Sequence, residues 1–303
     1  MTPVRTDGPQ PIATFAVVMP TRNRAEQAVD AIRRIQLLSG APDQIVVVDD
    51  KSDDDTAVRL AELPGIDVVA GDGSGPASAR NLGASRSKSD WLVFVDDDDE
   101  PHDNWMTTFR HLAAIRPDAV HLSVGFRRQV SSSTTTELPR PLGPAFGGVT
   151  ANFIAGTFAV RAEVFRSVGG FGAGLRAMNF TDLALRVFGF VARTGAVTHH
   201  SGTTSITIFV ASPDLRPARQ AGALEAAWTH IWAEHGELLR RDPLFLADQH
   251  SALGVAWARS GDLSMARRHL LLAVRTRPNP ERLARCALSS VSPIARRYWG
   301  TRG

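Results

Sequence analysis

Residues 91–103 read WLVFVDDDDEPHD: five apolar residues run straight into four consecutive aspartates, Asp96, Asp97, Asp98 and Asp99, followed by Glu100. A short apolar run rich in β-branched and aromatic residues reads as a buried strand. Its acidic end is the informative part, because clustered carboxylates at a partly buried strand end are unfavourable unless a cation offsets them. All-oxygen donors suit a hard divalent ion, so Mn²⁺ or Mg²⁺ is the expected cofactor. An isolated acidic run reads equally well as a solvated turn, and it is the surrounding sequence that argues against that reading.

The same design occurs three times upstream. TFAVVM (14–19) runs into PTRNR (20–24), QIVVVD (44–49) into DDKSDDDT (49–56), and IDVVA (66–70) into GDGSGPASARN (71–81). Helix-patterned segments follow at 25–38, 56–63, 77–85 and 104–115, and AVHLSVGF (119–126) reads as a further strand. Continuous apolar strands alternating with amphipathic helices specify an α/β fold with a mostly parallel sheet flanked by helices. Ligands of open α/β sheets bind outside the carboxyl ends of the strands, so the four polar loops are expected to meet at one edge.

Residue types in these loops suggest a ligand. Arg22, Arg24 and Arg80 are cationic donors suited to phosphate, with Asn23 and Asn81 as amide partners. Asp50, at the end of the second strand, can accept an N–H from a nucleobase or hydrogens from ribose hydroxyls; the alternative is a helix cap, which residues 53–55 can also serve. Carboxylates for a metal beside arginines for phosphates point to a metal–nucleotide diphosphate site. There is no GxxxxGK[ST] loop, and no GxGxxG follows the first strand.

Composition narrows the partners. The chain has 303 residues with 34 Lys+Arg against 31 Asp+Glu, a net charge of +3. Only Lys51 and Lys88 are lysines; the arginines titrate above pH ~12, so the sequence pI of 9.7 overstates the basicity at neutral pH. After residue 212 there are 14 arginines against 8 carboxylates, which leaves residues 1–212 at −3. A nucleic-acid partner is not expected. The single Cys286 cannot form an intramolecular disulfide. No apolar stretch approaches the ~18 residues of a spanning helix, and the opening MTPVRTDGPQ does not read as a signal peptide. A soluble cytoplasmic protein is the expectation, with membrane contact at most peripheral through the ending IARRYWGTRG.

Residues 129–148, rich in Ser, Thr, Pro and Gly, are expected to form a lid-like loop, and ANFIAGTFAV (151–160) a strand. A boundary is expected at 212–213, giving a nucleotide-binding domain over 1–212 and a helical region over 213–303. Within the latter, 251–278 is similar to a single tetratricopeptide-type helix pair; one such unit cannot bury its own face and is expected to pack on the domain before it.

Taken together, VVMPTRNR (17–24), IVVVDDKSDDDT (45–56), GPASARNLGA (75–84), FVDDDDEP (94–101), and VGGFGAGL (168–175) followed by DLALRV (182–187), resemble the family 2 glycosyltransferases of GT-A fold over about residues 13–210. The resemblance implies sugar transfer from a nucleoside diphosphate sugar, UDP first among the candidate nucleotides, to an unidentified acceptor, with inversion. It implies that Pro20, Thr21, Arg22, Asn23 and Asp50 hold nucleobase and ribose, that Arg80 contacts the nucleotide, and that Asn81 braces the carboxylate loop. Asp96-x-Asp98 would be the metal signature, with Asp97 beside the nucleotide and Asp98 or Asp99 the direct ligand.

The family's catalytic base belongs to a Glu-Asp pair. Here NFTDLALR (179–186) places Asn179 and Phe180 at those positions, and phenylalanine accepts no proton. Several readings stay open: Asp182 as base after a local shift, or a dipole-favoured helix carboxylate; His199 or His200 as base or ligand; a thiolate acceptor needing little deprotonation; or a protein that binds donor without transferring sugar.

Overall fold

The computed structural model describes residues 13–172, 174–210, 217–290 and 299. Its first half runs β1 (Phe15–Thr21), α1 (Ala25–Leu37), β2 (Gln44–Asp49), α2 (Thr56–Ala61), β3 (Asp67–Ala70), α3 (Pro76–Arg86), β4 (Trp91–Phe94), β5 (Glu100–Pro101), α4 (Trp105–Ile115) and β6 (Ala119–Val130). There follow β7 (Ser133–Glu137), β8 (Arg140–Pro141), β9 (Thr150–Ala151), β10 (Phe158–Arg161), α5 (Ala162–Ser167), α6 (Asn179–Thr194) and β11 (Val197–Val210). The last part is helical: α7 (Pro217–Leu239), α8 (Pro243–Ser260), α9 (Leu263–Thr276) and α10 (Pro280–Ser290).

The main sheet has the order β3-β2-β1-β4-β10-β6-β11-β5, with β7 paired to β6. β3, β2, β1 and β4 are parallel, so their polar carboxyl ends share one edge as the sequence predicts. β10 runs antiparallel between β4 and β6, and β6 is parallel to β11. Burial on both faces explains the continuous apolar strands. Phe15, Val17 and Trp91 meet Ile32, Ile35 and Phe109 of α1 and α4 on one face. On the other, Val18, Phe94 and Phe158 meet Phe188 of α6.

Gly83 fixes how α3 sits on this second face: a Cβ there would lie 2.5 Å from Val18 Cγ1 and 3.1 Å from Val48 Cγ2. Glycine lets the helix approach the strands, and that approach seats Arg80, one turn earlier, over the end of β4.

Two loop expectations are corrected. Residues 129–148 are not one irregular loop: β6 continues to Val130, and β7 folds back on it from Phe126↔Glu137 to Val130↔Ser133. The Thr run that reads as loop by polarity is an exposed β-hairpin arm, since threonine's branched Cβ suits a pleated surface. Segment 151–160 is not one strand; a turn with Gly156 at φ +73° separates β9 from β10.

The boundary expected at 212–213 lies outside the described residues. Helices α8 and α9 form the expected hairpin, closed by Gly261 at φ +92° and by Asp262, which accepts hydrogen bonds from the backbone N–H of Ser264 and Met265. Leu246 and Leu253 of α8 join Trp228 and Ile231 of α7 in the core that holds Phe146 and Phe188. The helical region thus shares a core with the sheet domain, which supplies the burial that a lone hairpin lacks. Trp299, from the basic ending, is buried against Ala258, Ala266 and Leu270 instead of being displayed to a surface. Among the described residues no helix is long and apolar enough to cross a membrane.

Candidate active site

The polar loops converge on a cavity of about 400 Å³ at the carboxyl edge of the parallel strands, lined by Pro20, Thr21, Arg22, Arg24, Asp50, Gly75, Arg80, Asp96, Asp97 and Asp98. A larger trough, about 580 Å³, follows residues 232–241 of α7 and the turn after it and meets none of this chemistry.

Asp96, Asp98 and Asp99 can each offer one oxygen within 4.8 Å of the others. Asp99 is buried, its Oδ1 accepting from the Phe209 N–H at 3.4 Å, and burial together with Asp96 and Asp98 pushes its carboxyl up to about 8. Three hard carboxylate oxygens, one from each residue, form a donor set that suits a divalent cation. Asp97 points differently: it accepts from Thr21 Oγ1 at 2.7 Å and from Arg24 Nη1 at 2.7 Å. Burial pushes its carboxyl above the usual range against those two hydrogen bonds. It ties the acidic loop to the end of β1, and its two oxygens are engaged by protein donors.

Arg80 pairs with Asp96, its guanidinium lying 4.8 Å from the centroid of the Phe180 ring and 5.6 Å from that of Phe171. Its Nε is buried with no hydrogen-bond partner among the described residues. Arg22 is exposed at the rim and makes no ion pair among the described residues. Both arginines are placed for an anionic ligand.

Asp50 is buried, and its oxygens accept from the backbone N–H groups of Gly73 at 2.9 Å and Gly75 at 2.8 Å. It shapes the glycine loop while lining the cavity. Asn23, at φ +53°, accepts from the Asp53 N–H at 2.7 Å and donates its own N–H to Ser52 Oγ at 2.8 Å, locking the first two loops together. Asn81 does not brace the carboxylate loop: its amide pairs at 2.8 Å with both the N–H and the carbonyl of Phe171. It therefore holds the VGGFG turn, and through it the ring that faces Arg80.

Two expected catalytic residues fall elsewhere. Asp182 is buried in the first turn of α6, paired with Arg186 and 3.4 Å from His235 Nε2 of α7. Arg186 also donates at 2.6 Å to the carbonyls of Val168 and Gly170. This carboxylate anchors a turn, with a partner on each of its two oxygens. His199 and His200 pair with Leu122 and Ser123 of β6, at the level of Val93 and Leu122 in mid-sheet. His200 is exposed and belongs to neither the acidic cluster nor the cavity.

Sequence reasoning did not anticipate the Phe171 and Phe180 support for Arg80, or His235. The aromatics carried a faint signal in their nearness to the Gly-rich turn; His235 lies 53 residues from its partner and carried none.

A mostly parallel sheet with a carboxylate triad and arginines at its carboxyl edge defines the GT-A class of α/β fold. The chain belongs to glycosyl transferase family 2, whose family model matches residues 16–177. It is 24% identical over 180 residues to an uncharacterized glycosyltransferase of Haemophilus influenzae, covering 57% of this chain and 61% of that protein. It is 29% identical over 147 residues to the succinoglycan biosynthesis protein ExoO of Rhizobium meliloti, covering 45% and 42%. The chain therefore spans about half the length of these curated relatives. Among solved structures, S. aureus TarS 1–349 in complex with UDP-GlcNAc matches with a TM-score of 0.58 at 12% identity, over 94% of this chain and 91% of that one. Glucosyl-3-phosphoglycerate synthase from Mycobacterium tuberculosis, in complex with Mn²⁺, UDP and glucosyl-3-phosphoglycerate, matches with a TM-score of 0.52 at 22% identity, over 74% and 80%.

Proposed function

We propose that this protein transfers a sugar from a nucleoside diphosphate sugar, UDP-linked in the first instance, to a hydroxyl acceptor. The observation that carries this reading is the carboxylate triad Asp96, Asp98 and Asp99, two of whose members, Asp96 and Asp98, line one cavity together with Arg22 and Arg80. In the transfer, the acceptor hydroxyl oxygen bonds to the anomeric carbon as the anomeric C–O bond to the diphosphate breaks. The diphosphate leaves with the electron pair, and the hydroxyl proton passes to solvent. The residues act on the leaving group: Arg80 and Arg22 offset its growing negative charge, and Asp50 and Asn23 keep the nucleoside loops in place. Mn²⁺ or Mg²⁺, held by the triad, would supply the same charge stabilisation. A single displacement with inversion is the proposed stereochemistry, to be read from the anomeric configuration of the product.

The test is multiple-turnover release of UDP with Mn²⁺ across donors and acceptors, with Asp98→Asn as the variant expected to remove it. A second reading, a protein that binds donor without transfer, is favoured by the carboxylate-poor start of α6, where Phe180 is apolar and Asp182 is engaged. Saturable UDP-sugar binding without turnover for any acceptor would select it.

A further inference from the structure

Phe180 belongs to two places at once. Its ring lies 4.8 Å from the Arg80 guanidinium of the acidic cavity, and it also lines a second cavity of about 420 Å³. The sheet register brings the two cavities to the same level. Phe126 and Arg128 of the second cavity stand on β6, which pairs with β11 at Ile206 and Ile208, while Thr207 of β11 pairs with Glu100 at the end of the acidic loop. Two strand spacings, about 10 Å, separate β6 from β5. A ligand here lies within reach of a sugar held beside the triad.

The chemistry of this cavity differs from that of the first. Aromatic rings from Phe126, Phe153 and Phe180 provide apolar walls, and Glu137 is held by two hydrogen bonds from Arg128 at the rim. Its other carboxylates are engaged: Asp242 accepts from the Phe245 N–H at 3.0 Å, and Asp248 pairs with Arg282. Arg140 also lines the cavity and makes no ion pair among the described residues, but with Glu137 and Asp242 set against Arg128 and Arg140 the wall carries no net positive charge to hold a phosphate or a carboxylate. Aromatic faces attract the polarised C–H bonds of a sugar ring, and a fixed carboxylate accepts hydrogens from its hydroxyls. The volume lies at the small end of the range for organic ligands.

We propose that this cavity is the acceptor subsite and that it takes a neutral saccharide, with the apolar face of one ring on Phe153 and Phe180 and a hydroxyl on Glu137. The assignment rests on the transferase reading. It gives the C-terminal helices a part in specificity, because Leu244, Phe245 and Gln249 of α8 close one wall.

The experiment uses the full chain and two separate probes. Saturation-transfer NMR with methyl glycosides of neutral hexoses and their disaccharides reads the second cavity, with glucose 6-phosphate and glucuronate as the anionic arm. Thermal shift with UDP and Mn²⁺ reads the first. At least one neutral glycoside is expected to bind, and to weaken at least tenfold in both Thr181→Trp, which fills the cavity, and the isosteric Glu137→Gln, with the UDP shift unchanged. The proposal is overturned if no neutral glycoside binds, if binding survives both substitutions, or if only the anionic sugars bind. Failure of UDP to shift the wild type would count against the donor reading alone, since the glycoside titration still reports on this cavity.

Discussion

Replacing Asp182 with asparagine separates an anchor from a base. The carboxylate is 3% exposed and is bonded to Arg186 and His235, which tie α6 to the turn at residues 168–172 and to α7. Hydrogen bonds to charged groups contribute about 1.5–3 kcal/mol, and asparagine retains one acceptor oxygen, so a loss of about 2 kcal/mol is expected. At ~2–4 °C per kcal/mol for chains of about 150–250 residues, with the low end applying to this longer one, Tm at pH 7 falls by about 4 °C. The deficit depends on pH. Burial alone would raise the Asp182 carboxyl, but hydrogen bonds from His235 and Arg186 outweigh it and hold it below the usual range. A depressed folded value means that its stabilisation is present above the unfolded value of about 3.9 and is lost as pH falls through the folded one. The melting curves of wild type and variant are therefore expected to converge below about pH 4. Turnover of UDP-sugar at 25 °C should stay within about threefold, under 1 kcal/mol of barrier. A rate loss of ~100-fold with unchanged melting is the mark of a lost base and would refute the anchor assignment.

Asp98→Asn should remove the Mn²⁺-dependent part of UDP stabilisation while leaving the unliganded Tm unchanged, because Asp98 is exposed and, among the described residues, its carboxylate pairs only with Arg24, at 3.2 Å; thermal shift with and without metal checks both. Phe180→Ala removes the ring beside Arg80 and should weaken UDP about 2- to 30-fold by calorimetry, the equivalent of about 0.5–2 kcal/mol of cation–π attraction. His121 is fully buried beside the stacked pair Phe153 and Phe158, both its ring nitrogens without a hydrogen-bond partner among the described residues, and burial pushes its pKa down to about 3. The folded state keeps it neutral while the unfolded chain protonates near pH 6.5, so stability is lost as pH falls from about 6.5 toward 3. His121→Phe should raise Tm at pH 7 and flatten its decline between pH 6.5 and 5; parallel pH profiles for the two proteins would disprove this.

Sequence patterns with a short physical range were legible. The buried positions Ala28, Val29, Ile32 and Ile35 mark α1 by their spacing, and the apolar runs ending in Pro20, Asp49 and Asp96 mark parallel strands and the edge where a ligand belongs. What depended on partners far along the chain was not. Asn81 bonds Phe171, 90 residues on; Asp50 bonds glycines 23 and 25 residues away; Asp182 meets His235. In each case a polar residue was read by what it could offer a ligand, whereas backbone or side-chain groups of the protein had already claimed it. The β7 arm was missed for another reason: Thr-rich, exposed sequence satisfies both loop and edge strand, and only pairing with β6 decides between them.

The position of β10 bears on how the chain is made. Residues 158–161 fill the slot between β4 and β6, so a growing chain carries β4 with one side unpaired until synthesis has passed Arg161. That edge, Trp91–Phe94, is entirely apolar and an open template for another chain. Fragments ending between residues 95 and 157 should be held by chaperones or aggregate, and the shortest soluble fragment should extend beyond β10.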